Sequence, residues 1–180
     1  MPTPDGSPPP VRHFAAEPEM AIDPAKRYVA TMVTSKGTMV IALDPLAAPR
    51  AVNSFVFLAK NRYFDGIVFH RIIPGFVIQG GDPEGTGRGG PGYQFPDELP
   101  RPGRYQIGSV AMANAGPDTN GSQFFIISGP NGAALPPQYS LFGAVVSGGE
   151  VVASIDAVGT PSGTPKEKVV IESVTVAESD

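Results

Sequence analysis

The stretch FHRIIPGFVIQGGD, residues 69–82, is the most informative part of this 180-residue sequence. It is mostly apolar, and the pair Pro74-Gly75 divides it, so it predicts two short strands joined by a turn. A guanidinium at Arg71 and an amide at Gln79 interrupt the apolar pattern. Because alternate side chains of a strand point to opposite faces, Arg71 and Gln79 are expected on one face, beside Phe76.

The same alternation places Phe69 on the face of Arg71, and Val68 with His70 on the other face. An arginine on a solvated outer face is the ordinary interpretation of such a residue. For His70 the ordinary interpretation is a hydrogen-bonded core histidine rather than a catalyst. The pattern of this stretch alone therefore leaves a functional role for Arg71 open.

Composition restricts the class of protein. Hydrophobic residues make up 41% and charged residues 17% of the chain, which is typical of a globular domain. A formal net charge of −4 and a pI of about 5.1 argue against a nucleic-acid partner, which needs clustered cations. The absence of cysteine excludes disulfides and thiolate metal sites, and the presence of only two histidines argues against a histidine metal site.

Targeting signals are not evident in the sequence. No apolar run reaches the roughly 18–20 residues that a membrane span needs. The first ten residues, MPTPDGSPPP, lack the basic start and the apolar stretch of a secretory signal. We therefore expect a cytoplasmic protein that has no membrane partner. We also expect a monomer.

Proline and glycine divide the chain into two regions. Seven of the 21 prolines fall within residues 1–27, where apolar residues are few. We therefore predict a Pro-rich arm, residues 1–26, that is extended or flexible, followed by one domain, residues 27–180. The alternative for the arm is that four apolar residues pack onto the domain surface: Val11, Phe14, Met20 and Ile22.

The domain predicts many short strands and two helices. Pro49 suits the first turn of a helix over residues 48–60, and Val52, Phe55, Val56 and Ala59 recur at helical spacing. A second short helix is predicted over residues 149–155. Strands are predicted at 28–34, 38–43, 67–72, 76–79, 109–113, 123–128, 140–146 and 168–176. Short strands joined by tight turns favour a closed antiparallel barrel over a parallel sheet.

Several common catalytic motifs are absent. The sequence has no GxGxxG following a predicted strand, no Walker loop, no HExxH and no GxSxG. The Gly-rich run at residues 85–90 lacks the P-loop lysine and a following helix. Four carboxylates cluster in the loops and are interpreted as solvated charges and Asx-type turns, with a paired acid/base role as the alternative: Asp82, Glu84, Asp97 and Glu98.

A second stretch, MANAGPDTNGSQFFI, residues 112–126, changes the interpretation of the first. Ala113, Ala115 and Gly116 are small, so the backbone at Asn114 is approachable. Further along, a strand is expected to carry Gln123 and Phe125 on one face. A groove with accessible backbone groups beside an aromatic floor suits an extended peptide. Ordinary loop chemistry of Asn, Gly and Pro remains the alternative at this point.

Together the two stretches resemble cyclophilins, the cyclosporin-binding class of peptidyl-prolyl cis–trans isomerases. FHRIIPGFVIQGGD is similar to the family signature, MANAGPDTNGSQFFI to its second block, and LFGAVVSG, residues 141–148, to the strand that follows. The order and spacing of the blocks are similar too, and LPPQYSLFG, residues 135–143, has a bacterial style. The resemblance runs from about Tyr28 to Val176 and leaves the arm outside.

The resemblance implies a fold, an activity and partners. The fold is an eight-stranded antiparallel β-barrel capped by two α-helices, with the active site on the outer face of the barrel. The activity is cis–trans isomerisation of X–Pro peptide bonds, without a cofactor or a metal. The partners are proline-containing peptides and unfolded or folding proteins.

The resemblance also assigns site residues. Arg71 matches the catalytic arginine, and Gln79 and Asn114 match the groups that hold the substrate backbone. The hydrophobic proline pocket is matched by Phe76, Val77, Phe125 and Leu135, with Val77 in place of a more usual Met. The wall that receives residues before the proline is matched by Ala113, Ala115 and Gln123. Tyr139 stands where many members have His.

One departure concerns drug binding. Many cyclophilins carry Trp just before the position of Leu135, and this Trp contributes to cyclosporin binding. The sequence contains no Trp and has Ala134 near that position. We therefore expect weak cyclosporin binding, whereas isomerase activity does not depend on that Trp in the same way.

Two other functions are kept beside the isomerase. The first is a proline-peptide binding module or chaperone that needs no catalysis, which the set of Arg71, Gln79 and Phe125 disfavours. The second is an unrelated barrel that binds a small apolar ligand in its lumen. That hypothesis predicts an empty interior, whereas we expect an interior filled by side chains.

Overall fold

The computed structural model describes residue 6 and residues 8–180. In this part of the chain eight strands form one sheet, and every paired neighbour is antiparallel. The strands are β1 (Arg27–Thr34), β2 (Gly37–Leu43), β3 (Arg71–Ile73), β4 (Val77–Gly80), β5 (Ser109–Met112), β6 (Phe124–Ile127), β7 (Leu141–Ser147) and β8 (Ile171–Ser179). The order across the sheet is β3-β4-β6-β5-β7-β2-β1-β8. The predicted mainly β fold with eight antiparallel strands is confirmed.

In the described residues three helices accompany the sheet: α1 (Pro49–Lys60), α2 (Pro130–Ala133) and α3 (Gly149–Asp156). Helices α1 and α3 correspond to the two predicted helices, and the single turn of α2 was not predicted. The first turn of α1 receives a cap from a distant residue, since the Glu98 carboxylate accepts hydrogen bonds from the backbone N–H of Arg50 (3.0 Å) and Ala51 (2.9 Å). Among the described residues, no helix is long and apolar enough to cross a membrane.

The sheet curls into a half-barrel. Its two edge strands, β3 and β8, are not joined by a continuous ladder of hydrogen bonds in the described residues. The chain before β3 instead bonds both to Ile171, the first residue of β8, and to the residues before it. There Val68 forms an isolated bridge with Val170, and the Phe69 N–H donates to the Val169 carbonyl at 3.0 Å. The predicted closed barrel therefore overstates the closure, although the antiparallel architecture holds.

The interior of the half-barrel is filled by side chains. Phe55 lies near its centre, with ring centroids 5.0 Å from Phe64, 5.9 Å from Phe124 and 5.5 Å from Phe142. The largest fully buried side chains are Tyr63, Phe64, Phe69, Phe95, Phe124, Phe142, Met32, Met39, Ile41, Leu58, Ile72 and Ile78. This close packing contradicts the hypothesis of a ligand bound in an empty lumen.

Strand β6, with the sequence FFII, is buried on both faces. Phe124 and Ile126 point into the main core, whereas Phe125 and Ile127 belong to a second apolar cluster on the outer face of the sheet. A strand covered on both faces reads as a continuous apolar run, as this one does. The outer cluster gives the outer face an apolar floor.

Residues 8–26 lie against the domain. Ile22 is buried, and the ring of Phe14 packs edge-on against Phe57 with centroids 4.8 Å apart. Val11 and Met20, by contrast, are exposed. The side chain of Asn53 on α1 accepts hydrogen bonds from backbone N–H groups of this segment and donates to its carbonyls. The boundary between arm and domain at residues 26 and 27 stays a prediction.

Candidate active site

The chain before Arg71 departs from the predicted alternation. Phe69 is buried in the main core while Arg71 is exposed, although the two are only two residues apart. Strand β3 begins only at Arg71, so regular alternation does not extend back to Phe69. The predicted shared face of Phe69 and Arg71 is therefore wrong. Arg71 instead lies opposite Gln79 across the β3–β4 pair, which places the two polar residues together as the pattern predicted.

Two contacts fix the Arg71 side chain. Its Nη1 donates to Gln79 Oε1 at 3.2 Å, and its Cζ lies 6.0 Å from the centroid of the Phe76 ring. Gly163 leaves room for this side chain, because an added Cβ there would lie 3.0 Å from Arg71 Cγ. Gly163 also has φ +91°, which favours glycine. No local sequence signal points to Gly163, because it lies far along the chain from Arg71.

A pocket of about 130 Å³ opens beside Arg71 on the outer face of the sheet. Val77 and Phe125 are buried and belong to the outer apolar cluster beneath it. Nine of the eleven predicted site residues line this pocket: Arg71, Phe76, Val77, Gln79, Ala113, Asn114, Phe125, Leu135 and Tyr139. The pocket thus has an apolar floor, with a guanidinium and amides among its lining groups.

The remaining two predicted residues, Ala115 and Gln123, line a wider groove of about 780 Å³. This groove also includes Gln79, Ala113 and Asn114, so it adjoins the smaller pocket. The structure therefore brings all eleven predicted residues to one continuous surface. Their roles in binding and catalysis stay predictions.

Tyr139 is held in place by a residue that the sequence did not single out. The Tyr105 hydroxyl donates to the Tyr139 carbonyl at 2.6 Å and accepts from the Tyr139 N–H at 3.1 Å. Burial raises the pKa of the Tyr105 hydroxyl, with the bond to Tyr139 opposing that shift, so the hydroxyl keeps its proton for donation. The Tyr139 ring then meets Phe125 edge-on, with centroids 5.3 Å apart.

Asn114 divides its groups between the loop and the groove. Its side chain donates to the Gln138 carbonyl at 3.0 Å and accepts from the Gly116 N–H at 3.2 Å, which fixes the loop. Within residues 8–180, its backbone N–H and C=O make no hydrogen bond. These two backbone groups are available to an extended peptide.

A chain of amide hydrogen bonds runs from Arg71 into a neighbouring loop. Gln79 Nε2 donates to Gln123 Oε1 at 3.1 Å, and Gln123 Nε2 donates to the Gly89 carbonyl at 3.0 Å. This direction of donation turns Gln79 Oε1 toward Arg71, where it accepts from the guanidinium. The loop carbonyl thereby orients both amides.

The loop itself is organised by Asp82, whose side chain is buried. Its carboxylate accepts backbone hydrogen bonds from Glu84, Thr86 and Gly87, in the manner of the predicted Asx-type turn. Burial by itself raises the pKa of Asp82, but these backbone donors together with Gly89 outweigh it and hold the pKa below the ordinary value. An added Cβ at Gly89 would lie 2.0 Å from Asp82 Oδ1, so only glycine fits there.

His70 differs from its prediction. Both ring nitrogens are buried, and neither has a hydrogen-bond partner among the described residues, so the predicted hydrogen-bonded core histidine is wrong in its bonding. Burial lowers the pKa of His70 because it disfavours the imidazolium; Asp82 partly opposes this effect and Arg71 adds to it. Burial thus favours the neutral ring of His70, which does not line the pocket.

Two further features concern ligands. Ala134 is exposed at the C-terminal end of α2 and does not line the pocket. In the described part of the chain, no cluster of three or more His, Cys, Asp or Glu side chains could hold a metal ion.

Comparisons with known proteins agree with this geometry. The family model for cyclophilin type peptidyl-prolyl cis-trans isomerase matches residues 29–176. The chain is 46% identical to peptidyl-prolyl cis-trans isomerase B of Streptomyces anulatus, over 84% of this chain and 98% of that protein. It is 43% identical to peptidyl-prolyl cis-trans isomerase A of Mycobacterium tuberculosis, over 86% of this chain and 94% of that protein.

Solved structures show the same fold. A crystal structure of a cyclophilin type peptidyl-prolyl cis-trans isomerase from Cryptosporidium parvum superposes with a TM-score of 0.78 at 31% identity, covering 86% of this chain and 99% of that one. A second structure of that protein, in the presence of the dipeptide Ala-Pro, gives a TM-score of 0.77 at 33% identity, covering 84% and 99%. The chain belongs to the cyclophilin-type peptidyl-prolyl cis–trans isomerases and is an isomerase of X–Pro peptide bonds.

Proposed function

We propose that this isomerase assists protein folding by binding X–Pro segments in the outer pocket, with Arg71 stabilising the twisted amide. The observation that carries this proposal is the fixed guanidinium at the edge of an apolar pocket, held by Gln79 and Phe76. The related structure in the presence of Ala-Pro supports a proline-containing peptide as the ligand. The clients are accordingly unfolded or folding proteins with exposed X–Pro bonds.

The energy that the site must supply is modest. Rotation about an X–Pro amide meets a barrier of about 18–20 kcal/mol and takes tens to hundreds of seconds without a catalyst. Acceleration to about a millisecond requires roughly 10⁴–10⁵-fold, or about 6–7 kcal/mol. No covalent bond breaks in this reaction, so differential binding of the twisted state suffices.

Arg71 supplies a contact that is stronger in the twisted state than in the planar one. Twisting removes amide resonance, so the proline nitrogen becomes pyramidal and basic. A guanidinium keeps its charge and offers several N–H donors, so it interacts with that nitrogen most favourably at the top of the barrier. The apolar surroundings of the pocket strengthen this interaction by excluding water.

The other pocket residues hold the substrate while one side of the bond rotates. Phe76, Val77, Phe125 and Leu135 present apolar surface to the proline ring. Gln79 and the open backbone groups of Asn114 bind the substrate backbone. In this scheme the Gln79 amide has a second task, because its Oε1 accepts from Arg71 and keeps the guanidinium at the pocket. Tyr139 closes the pocket beside Phe125.

The test is the substitution Arg71→Ala, assayed by NMR exchange between cis and trans forms of an X–Pro peptide. We expect kcat/KM to fall by about 10²–10³-fold, or about 3–4 kcal/mol, because a transition-state contact is lost. Thermal stability should change little, since Arg71 is exposed. The matched control is Arg101→Ala, which removes an exposed guanidinium outside the pocket.

A loss of less than threefold in Arg71→Ala would overturn the role of this residue. Wild-type protein that shifts the peptide resonances without accelerating exchange would support the other hypothesis, a proline-peptide binding module or chaperone.

We also propose weak cyclosporin binding, a monomeric state and a cytoplasmic location. Cyclosporin should bind weakly because Ala134 is small and lies outside the pocket lining, which inhibition by the drug would test. The monomeric state also stays a prediction, which measurement of the mass in solution by sedimentation would test. The cytoplasmic location stays a prediction too, which cell fractionation would test.

A further inference from the structure

The wider groove has a wall that lies outside the region matched by the family. His13 lines this groove together with Gly92, Ala115 and Gln123. The family match covers residues 29–176, so His13 belongs to the preceding arm. The arm therefore adds a side chain to the surface that adjoins the proline pocket.

The residues on either side of His13 are anchored to the domain. Arg12 Nη1 donates to the Tyr63 carbonyl at 2.7 Å, Nη2 donates to the Asp65 carbonyl, and Cζ lies 5.9 Å from the Tyr63 ring centroid. On the other side, the Phe14 N–H donates to the Pro91 carbonyl at 2.8 Å. These two anchors fix the backbone at His13 and hold its side chain at the groove.

The surroundings of Gly92 show how closely residues 13 and 14 pack against the groove. An added Cβ at Gly92 would lie 2.5 Å from the Phe14 carbonyl oxygen and 2.6 Å from His13 Cε1. Gly92 has φ +95°, a conformation that favours glycine. The imidazole therefore packs directly on the groove backbone and is not a distant part of a loose tail.

The polar chemistry of this wall favours an acceptor. Within residues 8–180, the His13 imidazole makes no hydrogen bond, and Arg88, on the same groove, has no ion-pair partner. Both side chains are exposed and both can donate. Among the described residues that line the groove, Glu84 is the only carboxylate. The N–H groups of His13 and Arg88 thus outnumber the carboxylates of the groove and can bind a carboxylate from the substrate.

We propose that His13 is a specificity-determining residue that binds an acidic side chain, Asp or Glu, of the substrate upstream of the X–Pro bond. This inference rests on the proposed function, in which residues before the proline run along Ala113, Ala115 and Gln123. Those three residues line the same groove as His13, so an extended substrate passes the imidazole. Short X–Pro peptides end before they reach it.

The experiment compares peptides of two lengths. The short peptide is Ala-Ala-Pro-Phe, and the long series extends it at the N-terminus with one Glu, Gln or Lys placed in turn from the third to the sixth residue before proline. NMR exchange gives kcat/KM for each long peptide relative to the short one. The proteins are wild type, His13→Ala, His13→Glu and, as a matched arm control, Val11→Ala, whose side chain is exposed and lines neither cavity.

At one position, wild type should prefer Glu over Lys by about two- to fivefold, the size expected for an exposed pair. His13→Ala should remove most of that ratio, His13→Glu should invert it, and Val11→Ala should keep it. A ratio near one at every position overturns the inference, as does a ratio that survives in His13→Ala or is lost equally in Val11→Ala.

Failure of the proposed function gives a different result. Wild type that does not accelerate exchange of the short peptide overturns the function itself. The Glu-to-Lys ratio can then be read from dissociation constants of the long peptides by NMR titration, with the same expectations for the four proteins. The two failures are therefore distinguishable.

Discussion

The inner and outer faces of β4 and β6 carry similar side chains but have different surroundings. On the inner face, Ile78, Phe124 and Ile126 are completely buried in the main core. On the outer face, Val77 and Phe125 are also buried, yet they form the floor of a pocket of about 130 Å³. Each face is apolar, and only the outer one is left accessible.

This difference shows what keeps a site open on a small domain. The inner face is shaped by packing alone, because every neighbour is another apolar side chain. The outer face is covered in part by Tyr105, Leu135 and Tyr139, and Arg71 and Gln79 occupy its edge. An accessible apolar surface bordered by polar groups is the form that a ligand site takes. Substitutions on the two faces should therefore separate stability from activity.

The largest expected effect is on the inner face. Phe124→Ala should lower the free energy of unfolding by about 3–5 kcal/mol, because it leaves a cavity where Phe55, Phe64 and Phe69 now meet the ring. Urea denaturation monitored by circular dichroism measures this loss. At urea concentrations below its unfolding transition, folded Phe124→Ala should keep most of its isomerase activity.

The matched outer-face substitution is Phe76→Ala. Because Phe76 is only partly buried, the free energy of unfolding should fall by less than about 1.5 kcal/mol, whereas kcat/KM should fall by about tenfold or more as the pocket wall is lost. If Phe124→Ala lost activity as strongly as Phe76→Ala at equal folded concentration, the separation of the two faces would be wrong.

A smaller effect is expected from the amide chain on the outer face. Gln79→Ala should lower kcat/KM by about tenfold and Gln123→Ala by about threefold, since Gln123 acts mainly by orienting Gln79. The double variant should therefore be no more than about twofold worse than Gln79→Ala alone. NMR exchange on the short peptide measures this cycle, with Gln106→Ala as an exposed amide control. Fully multiplicative losses would show that Gln123 acts independently of Gln79.

The smallest effect concerns His70, which precedes Arg71 and whose two ring nitrogens are buried. Its folded-state pKa lies below the ordinary value of 6.5, so folding favours the neutral ring. That contribution to stability is complete above pH 6.5 and is lost as the pH falls through the folded-state pKa. His70→Gln should therefore make the fall in unfolding free energy below about pH 6.5 less steep. Denaturant titrations at several pH values give the unfolding free energy of wild type and of His70→Gln. An equal dependence of this free energy on pH in the two proteins would contradict the lowered pKa of His70.

Local pattern was sufficient for most of the regular structure. Strands β1 and β2 and helix α1 formed close to the residues for which the apolar pattern and helical spacing predicted them. Helix α2 escaped prediction because a single turn with the sequence PNGA has no periodicity to detect. The alternation across residues 69–71 failed because the chain enters a regular strand only at Arg71.

The candidate site was predicted less evenly. Arg71, Gln79 and Phe125 stand in conspicuous stretches, and the family resemblance supplied their roles. Tyr105, Gly89 and Gly163 escaped prediction because each acts on a residue that is distant in sequence, as Tyr105 does on Tyr139. His13 escaped for the same reason, since it reaches the groove only through the packing of the arm.

The sequence by itself determined which side chains share a face within the regular strands β4 and β6, and which family the chain resembles. Both follow from neighbouring residues, because the strand period and the motif are local properties. Only the tertiary structure decided which face of β4 and β6 stays open, how far the half-barrel closes, and where residues 8–26 lie. These outcomes depend on contacts between segments far apart in the chain, such as Tyr105 with Tyr139, Val68 with Val170 and Phe14 with Pro91. No local pattern encodes such contacts, because each is set by the packing of the whole chain.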